Sequence, residues 1–297
     1  NLSLYGDAEE TWACDMCCSL RNLGEELLKY DVLVVLDKMP EAKQKCVELP
    51  SLQGKRYLMA IAEKEVSQLS NIKRIYVKNL IYTGQQMAIR LWMGDYITVS
   101  GTHTMELEEL AKLAGGDKQA SGIDRLGVMR ADVDNLGAAF MAGFPEQYAT
   151  LGRSAALSRQ LSLFFKRYIN NLCGGEINGM NEDEYHKFAI FAVQPHKQRN
   201  VHIIYSGGDD MFIVGAWDDL LELSVDIREA FRRFTNNKLS FSAGIGIFYS
   251  KCPISEMARG TGLLESTAKD NPGKDSIAMF GIPSAESHAS YTTASYR

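Results

Sequence analysis

Two runs of apolar residues at alternating positions, 201–206 and 211–216, flank Gly207, Gly208, Asp209 and Asp210. Period-two alternation around a glycine-containing break predicts a β-hairpin with a tight turn. Upstream, "LGVMRADVD" (126–134) reads as a strand that ends in carboxylates, and a helix is expected over 149–172. Leu157, Leu161, Phe164, Phe165 and Tyr168 form the apolar face of that helix, with Gly174 as its stop. "KFAIFAV" (187–193) is a further strand. After the hairpin comes an amphipathic helix, 218–234, with Leu220, Leu223, Ile227, Phe231 and Phe234 turned inward. A strand over 239–249, a helix over 254–270 and a last strand over 275–281 complete the pattern. Without the extra strand the order is βαββαβ, the arrangement of a ferredoxin-like fold with an antiparallel sheet and helices on one face.

The first part of the chain is less regular. Leu20, Leu23, Leu27 and Leu28 share a helical face behind a cysteine-bearing loop, which together occupy 1–30. Residues 31–120 read as a small α+β linker domain, with strands at 31–36, 72–79 and 86–93, a helix over 55–69 and a short acidic helix near 106–113. "GGDKQASG" (115–122) is a flexible linker by composition, so the second domain is expected over 121–282, followed by a polar, loose tail over 283–297.

Composition narrows the class. The 297 residues suit two domains, and 45% hydrophobic content supports packed interiors. No apolar run approaches the length of a membrane span, and no secretory signal opens the chain. The net charge of −5 argues against a generally basic nucleic-acid binder, so RNA contacts are expected to be local or made by partners. Six cysteines are too sparse for a disulfide scaffold, and a cytoplasmic location is expected.

The carboxylates carry the chemistry. Taken alone, Gly207–Asp210 is an ordinary turn. Asp132 and Asp134 change that reading, because in a βαββαβ sheet the first strand lies beside the hairpin and its end can face the hairpin tip. Converging carboxylates repel one another and are most simply stabilised by divalent cations. Two magnesium ions (manganese being the alternative) are the common apparatus for in-line displacement at phosphorus. Lys269 and Lys274, on either side of Gly273, are solvated surface lysines when read alone. Beside a metal site they become phosphate-binding candidates. Ser206 and Asn135 are candidate nucleotide contacts, although residues of these types at strand ends are more often backbone caps.

"ADVDNLG", "SGGDD", "SAGIGI" and "AKDNPGK" occur in the order found in nucleotide-cyclase-like palm domains. "RLGVMRADVDNLG", "ALSRQLSLFFKRYIN" and "IIYSGGDDMFIVGAWDDLLELSVDIREAF" resemble the second palm domain of the large subunit of type III-A CRISPR effector complexes. The resemblance is dense over 120–282 and looser over 1–100. It implies a magnesium-dependent nucleotidyltransferase that converts ATP to cyclic oligoadenylate in antiviral defence when the complex holds target RNA. The implied metal ligands are Asp132 and Asp209, with the Val133 carbonyl, Asp210 and Asp134 in support. Gly207 and Gly208 would let backbone pass close to the triphosphate. The implied partners are the other subunits of the complex and, through them, crRNA and target RNA. A non-catalytic palm-fold scaffold is the alternative. A diguanylate-type cyclase is disfavoured, because "LGAAFMAG" (136–143) is apolar where a guanine reader is expected.

The family's zinc-binding insertion has two C-x-x-C pairs. Cys14 and Cys17 look like the second, a partial zinc-finger-like segment, with zinc expected only in a longer protein. None of the five histidines precedes an aspartate, so an HD nuclease motif is absent from these residues. The chain is accordingly expected to be a fragment that begins after a first palm domain. It is expected to be weak or inactive without that domain.

Overall fold

The structure is a computed structural model that describes residues 2–5, 11–40, 46–50, 54–82, 84, 86–101, 103–114, 123–175, 198–279 and 292–295. The expected strand at 187–193 and the linker at 115–122 lie outside these residues. Two compact units divide between Trp92 and Met93. Among the described residues no helix is long and apolar enough to cross a membrane.

The first unit holds a five-stranded sheet in the order Val47–Leu49, Arg56–Ile61, Val32–Leu36, Ile72–Lys78, Ile89–Leu91. The helix expected over 55–69 is instead this second strand followed by a 3-10 turn, Glu63–Gln68. Its alanine, glutamate and lysine content favours a helix locally. However, Arg56–Ile61 pairs on both edges, and the ladder hydrogen bonds override that propensity. Val32, Val34, Tyr57, Met59 and Ile75 pack on one face, and Leu33, Val47 and Ala60 pack with Leu23 on the other. Of the leucines expected to share the face of helix Asp15–Leu27, Leu23 is buried, while Leu20 and Leu28 are exposed. The cysteine-bearing loop ahead of that helix contains a strand pair, Leu2–Tyr5 with Thr11–Cys14.

The second unit is built on β1 (Leu126–Val133), α1 (Leu136–Ala142), α2 (Leu151–Leu163), α3 (Ile169–Gly174), β2 (Val201–Gly207), β3 (Asp210–Ala216), α4 (Trp217–Phe234), β4 (Phe241–Phe248), α5 (Ile254–Asp270), β5 (Ser276–Met279) and β6 (Thr292–Ser295). The sheet order is β2-β3-β1-β4-β5-β6. Its first four strands have the ferredoxin-like order and are all antiparallel. β5 adds in parallel to β4, and β6 then pairs antiparallel to β5. Part of the expected loose tail is therefore an edge strand.

Alternation along β1 sorts its side chains to two faces. Met129, Ala131 and Val133 join Leu161, Phe164, Phe165, Ile227 and Phe231 in the main core. Leu126 and Val128 join Met257 of α5 and Leu110 of a short helix, Leu107–Lys112. Helices thus cover both faces: α2, α3 and α4 on one and α5 on the other, where helices on one face alone are expected from the βαββαβ pattern. α5 lies so close that a Cβ at Gly244 would stand 2.3 Å from Glu265 N, which only glycine avoids.

The helix expected over 149–172 is interrupted by a π turn, Phe164–Tyr168, between α2 and α3. It stops at Gly175, one residue beyond the expected stop, in the left-handed conformation. Residues 93–101 and 103–114 group with this second unit, whereas the linker reading places them with the first. Asn170 Oδ1 accepts from Asp95 N (3.0 Å) and Tyr96 N (3.1 Å), and Thr98 N donates to His202 Nδ1 at 3.1 Å. Such long-range bonds leave no trace in local composition.

Candidate active site

The hairpin closes with Gly207 paired to Asp210 and only Gly208 and Asp209 between them. Gly208 has φ of 70°, the conformation that glycine adopts without strain. β3 pairs with β1 so that Asp210 lies directly opposite Asp132, and Val133 N donates to Asp209 O at 3.1 Å. The main chain therefore brings Asp132, Asp209 and Asp210 to one end of the sheet.

Their charges are only partly offset. Lys269, in the last turn of α5, pairs with Asp132 and lies 3.2 Å from Glu265 Oε1. Arg130 Nε approaches Glu265 Oε2 at 3.3 Å. Partial burial, then the Asp132 and Asp210 charges, hold the Asp209 carboxyl above its ordinary range. Burial works against the Lys269 charge, but Asp132 and Glu265 outweigh it and hold the ammonium above its usual value. A cavity of about 390 Å³ opens here, lined by Arg130, Asp132, Tyr205, Asp210, Glu265 and Lys269 among others. The Tyr205 phenol, which the sequence pattern does not single out, is raised by partial burial and by the Asp210 and Asp209 charges. Among the described residues, no three acidic, histidine or cysteine side chains form a ready-made metal cage.

Two of the expected site residues, Asp134 and Ser206, are bonded elsewhere, and two more, Asn135 and Lys274, sit in left-handed backbone positions. Asp134 is buried, and its carboxylate accepts from Ser240 Oγ (2.8 Å), Ser242 Oγ (2.8 Å) and Asp275 N (3.0 Å). A carboxylate with three donors in place is a structural pin joining the end of β1 to β4 and to the entry of β5. Arg228 extends the pin by gripping Asp275 with Nε (3.0 Å) and Nη2 (2.6 Å). Ser206 is buried, and its hydroxyl donates to Phe165 O at 2.5 Å. Asn135 starts α1 in the left-handed conformation, φ 54°, with its side chain capping nothing, a position asparagine tolerates well. Lys274 is also left-handed, φ 51°, and is not among the residues lining the cavity.

Sequence reasoning misses one charged cluster altogether. Arg199 is fully buried beside Asp226 Oδ2 (2.7 Å), Asp219 Oδ1 (3.5 Å) and Glu222. Asp219, Glu222 and Asp226 fall at i, i+3 and i+7 along α4, so their shared stripe was the available signal.

In the first unit, Cys14 and Cys17 bring their sulfurs to 3.3 Å at the start of helix Asp15–Leu27, and Cys17 N donates to Cys14 Sγ at 3.4 Å. These bonds lower the Cys14 thiol, and the Cys14 sulfur raises Cys17. Two sulfurs are half the number of ligands that zinc takes.

Comparison with known proteins agrees with this geometry. Residues 125–278 match the sequence profile of the Cas10/Cmr2 second palm domain. A subtype III-A Cas10/Csm1 of Mycobacterium tuberculosis, named a CRISPR system single-strand-specific deoxyribonuclease, is 45% identical over 228 residues, covering 74% of this chain and 25% of its own. Its Streptococcus thermophilus counterpart is 38% identical over 288 residues, covering 94% of this chain and 32% of its own. The chain thus spans a quarter to a third of these relatives. The Csm1–Csm4 subcomplex of the type III-A CRISPR–Csm interference complex superposes with a TM-score of 0.69 at 26% identity, over 89% of this chain and 34% of that one. A Csm1–Csm4 cassette with one ATP gives 0.67 at 27% identity, over 90% and 34%. Another with cA3 gives 0.65 at 26% identity, over 86% and 33%. This chain belongs to the Cas10 family of type III-A CRISPR large subunits, and residues 125–278 are its second palm domain.

Proposed function

We propose that the second palm domain works, within the full-length large subunit, as a nucleotidyltransferase that converts ATP to cyclic oligoadenylate. The observation that carries this reading is the direct opposition of Asp132 and Asp210, with Asp209 tied to Val133 and Lys269 set against them. Opposed carboxylates weaken a sheet, and a fold needing only a turn here has no use for them. Binding of ATP and cA3 by similar Csm1–Csm4 structures supports the choice of substrate and product. The apolar α1, with Leu136 and Phe140 against the core, supports adenine over guanine.

In each step a 3′-oxygen attacks an α-phosphorus, the bond to the bridging oxygen breaks, and pyrophosphate leaves. Magnesium or manganese, held by Asp132, Asp209, Asp210 and the Val133 carbonyl, supplies charge neutralisation and nucleophile activation when bound. The all-oxygen donor set fits such an ion, which takes one or two protein carboxylates and completes its shell with water and phosphate. The chain itself orients. Gly208 keeps the turn tight, the Asp134 pin fixes the end of β1, and Lys269 offsets negative charge in the cavity. Positioning and electrostatics supply most of what phosphoryl transfer needs. The partners proposed are the other subunits of the type III-A complex, with crRNA and target RNA held through them. The deoxyribonuclease activity in the relatives' names belongs to proteins about three times this length and is not assigned to these residues.

The test is product analysis. The full-length protein, assembled with its partner subunits and target RNA, is given magnesium and labelled ATP or GTP. Cyclic adenylates, lost on Asp209→Ala plus Asp210→Ala, are the expected result. No product from either nucleotide points to a scaffold, and cyclic diguanylate points to the other cyclase class.

A further inference from the structure

Lys166 lies within the π turn that separates α2 from α3. π turns are rare and recur at functional sites, because the widened turn redirects side chains and loosens carbonyls. Here the loosened carbonyl of Phe165 accepts from Ser206 Oγ at 2.5 Å, so the hairpin strand itself secures the turn. The Lys166 stem then runs across Gly207: a Cβ at that glycine would stand 3.1 Å from Lys166 Cε. A side chain at Gly207 would press on that stem, so the glycine leaves it room. Gly208, the next residue, faces open space, with nothing within 4 Å of a Cβ placed there. The Lys166 ammonium is one bond beyond Cε and has no acidic partner among the described residues.

The other lysine at the site differs. Lys269 is engaged by Asp132 and Glu265, so its charge goes to the carboxylates before any substrate arrives. We propose that Lys166 is a substrate-binding residue, holding the phosphate chain of a nucleoside triphosphate from the helix side of the hairpin tip while Lys269 neutralises carboxylates from the α5 side. The inference rests on the nucleotidyltransferase reading and deepens it. It assigns phosphate binding to a residue outside the motifs that define the site, and gives the π turn and the Ser206 bond a shared purpose.

The experiment uses the full-length protein in its complex with target RNA. Lys166→Met keeps the stem over Gly207 and removes the charge, whereas Lys166→Arg keeps both. The readouts are KM and kcat for ATP, inhibition by inorganic tripolyphosphate, and the unfolding midpoint. Loss of one charge-assisted phosphate bond should raise KM and weaken tripolyphosphate inhibition by at least about tenfold in Lys166→Met. The midpoint should be unchanged, and Lys166→Arg should restore most of the loss. Should Lys166→Met unfold early, Lys166→Gln provides the same comparison. An active wild type whose KM and tripolyphosphate inhibition are matched by a folded, uncharged variant overturns this inference alone. A wild type that makes no product removes the functional reading, and this inference with it.

Discussion

Two places in the second unit gather carboxylates in excess of the basic side chains beside them. At the hairpin tip, Lys269 pairs with Asp132 and Glu265 beside a cavity of about 390 Å³, and Asp210 stands opposite Asp132 with Asp209 next to it. Along α4, Asp219, Glu222 and Asp226 share Arg199, which is fully buried. Both carry excess negative charge, but solvent access differs. In the buried cluster the guanidinium's fork meets carboxylates directly, and Asn200 adds bonds to Asp219 from its N (3.2 Å) and Nδ2 (2.7 Å). The hairpin carboxylates stay partly wet and can exchange partners with whatever enters the cavity. Excess negative charge is structural when its counter-ion is sealed in, and available for chemistry when water can reach it.

The largest expected effect tests the sealed cluster. Arg199→Met leaves buried carboxylates without their cation and should cost about 3–5 kcal/mol, read from the denaturant midpoint. A cost under about 1 kcal/mol would show that the carboxylates find other partners, and the contrast would collapse.

A smaller effect is the pH dependence of the same cluster. Burial, opposed by Arg199, pushes the Asp226 carboxyl up to about 6. A carboxyl raised on folding binds its proton more tightly in the native state. Its contribution is therefore full below the unfolded value of about 4 and lost as pH rises through about 6. Asp226→Asn should flatten the fall in stability across that window, measured by unfolding at successive pH values. The Asp209 carboxyl is raised too, so a contribution of the same sign from the hairpin persists in Asp226→Asn.

The smallest effect sharpens the other half. Asp210→Asn removes one of two opposed charges in a wet site, so stability should stay within about 0.5 kcal/mol of wild type or rise slightly. Turnover in the assembled full-length protein should fall by about a hundredfold or more, as when a group stabilising transition-state charge is removed. A large loss of stability instead would mean that the site is as structural as the Arg199 cluster.

What the sequence reveals follows from the range of the interactions. The hairpin, the inward face of α4 and the opposition of β1 to β3 rest on local periodicity and strand order, and they are legible. Asp132 and Asp134 are indistinguishable in sequence because each is an aspartate at a strand end. They separate only when Ser240, Ser242 and Asp275 arrive from more than a hundred residues away to occupy Asp134. Ser206 reads as a nucleotide contact until the π turn presents a carbonyl to it. The strand Arg56–Ile61 is illegible for a similar reason, since its two partner strands, not its own residues, make it a strand.

The π turn also sets a rule about chain length. Relative to a continuous α-helix it holds an additional residue, and each residue of an α-helix advances the helix by about 100°. Regularising that turn into α-helix without shortening the chain would rotate everything beyond it by roughly that angle. Ile169, Leu172 and Cys173 would leave the core, and the Asn170 amide would lose Asp95 and Tyr96. A one-residue deletion from 164–168 would instead preserve that phase and remove only the widened turn, with the Phe165 carbonyl it offers to Ser206. The irregular turn keeps two otherwise incompatible helical phases in step, one for the sheet and one for the segment at 93–98.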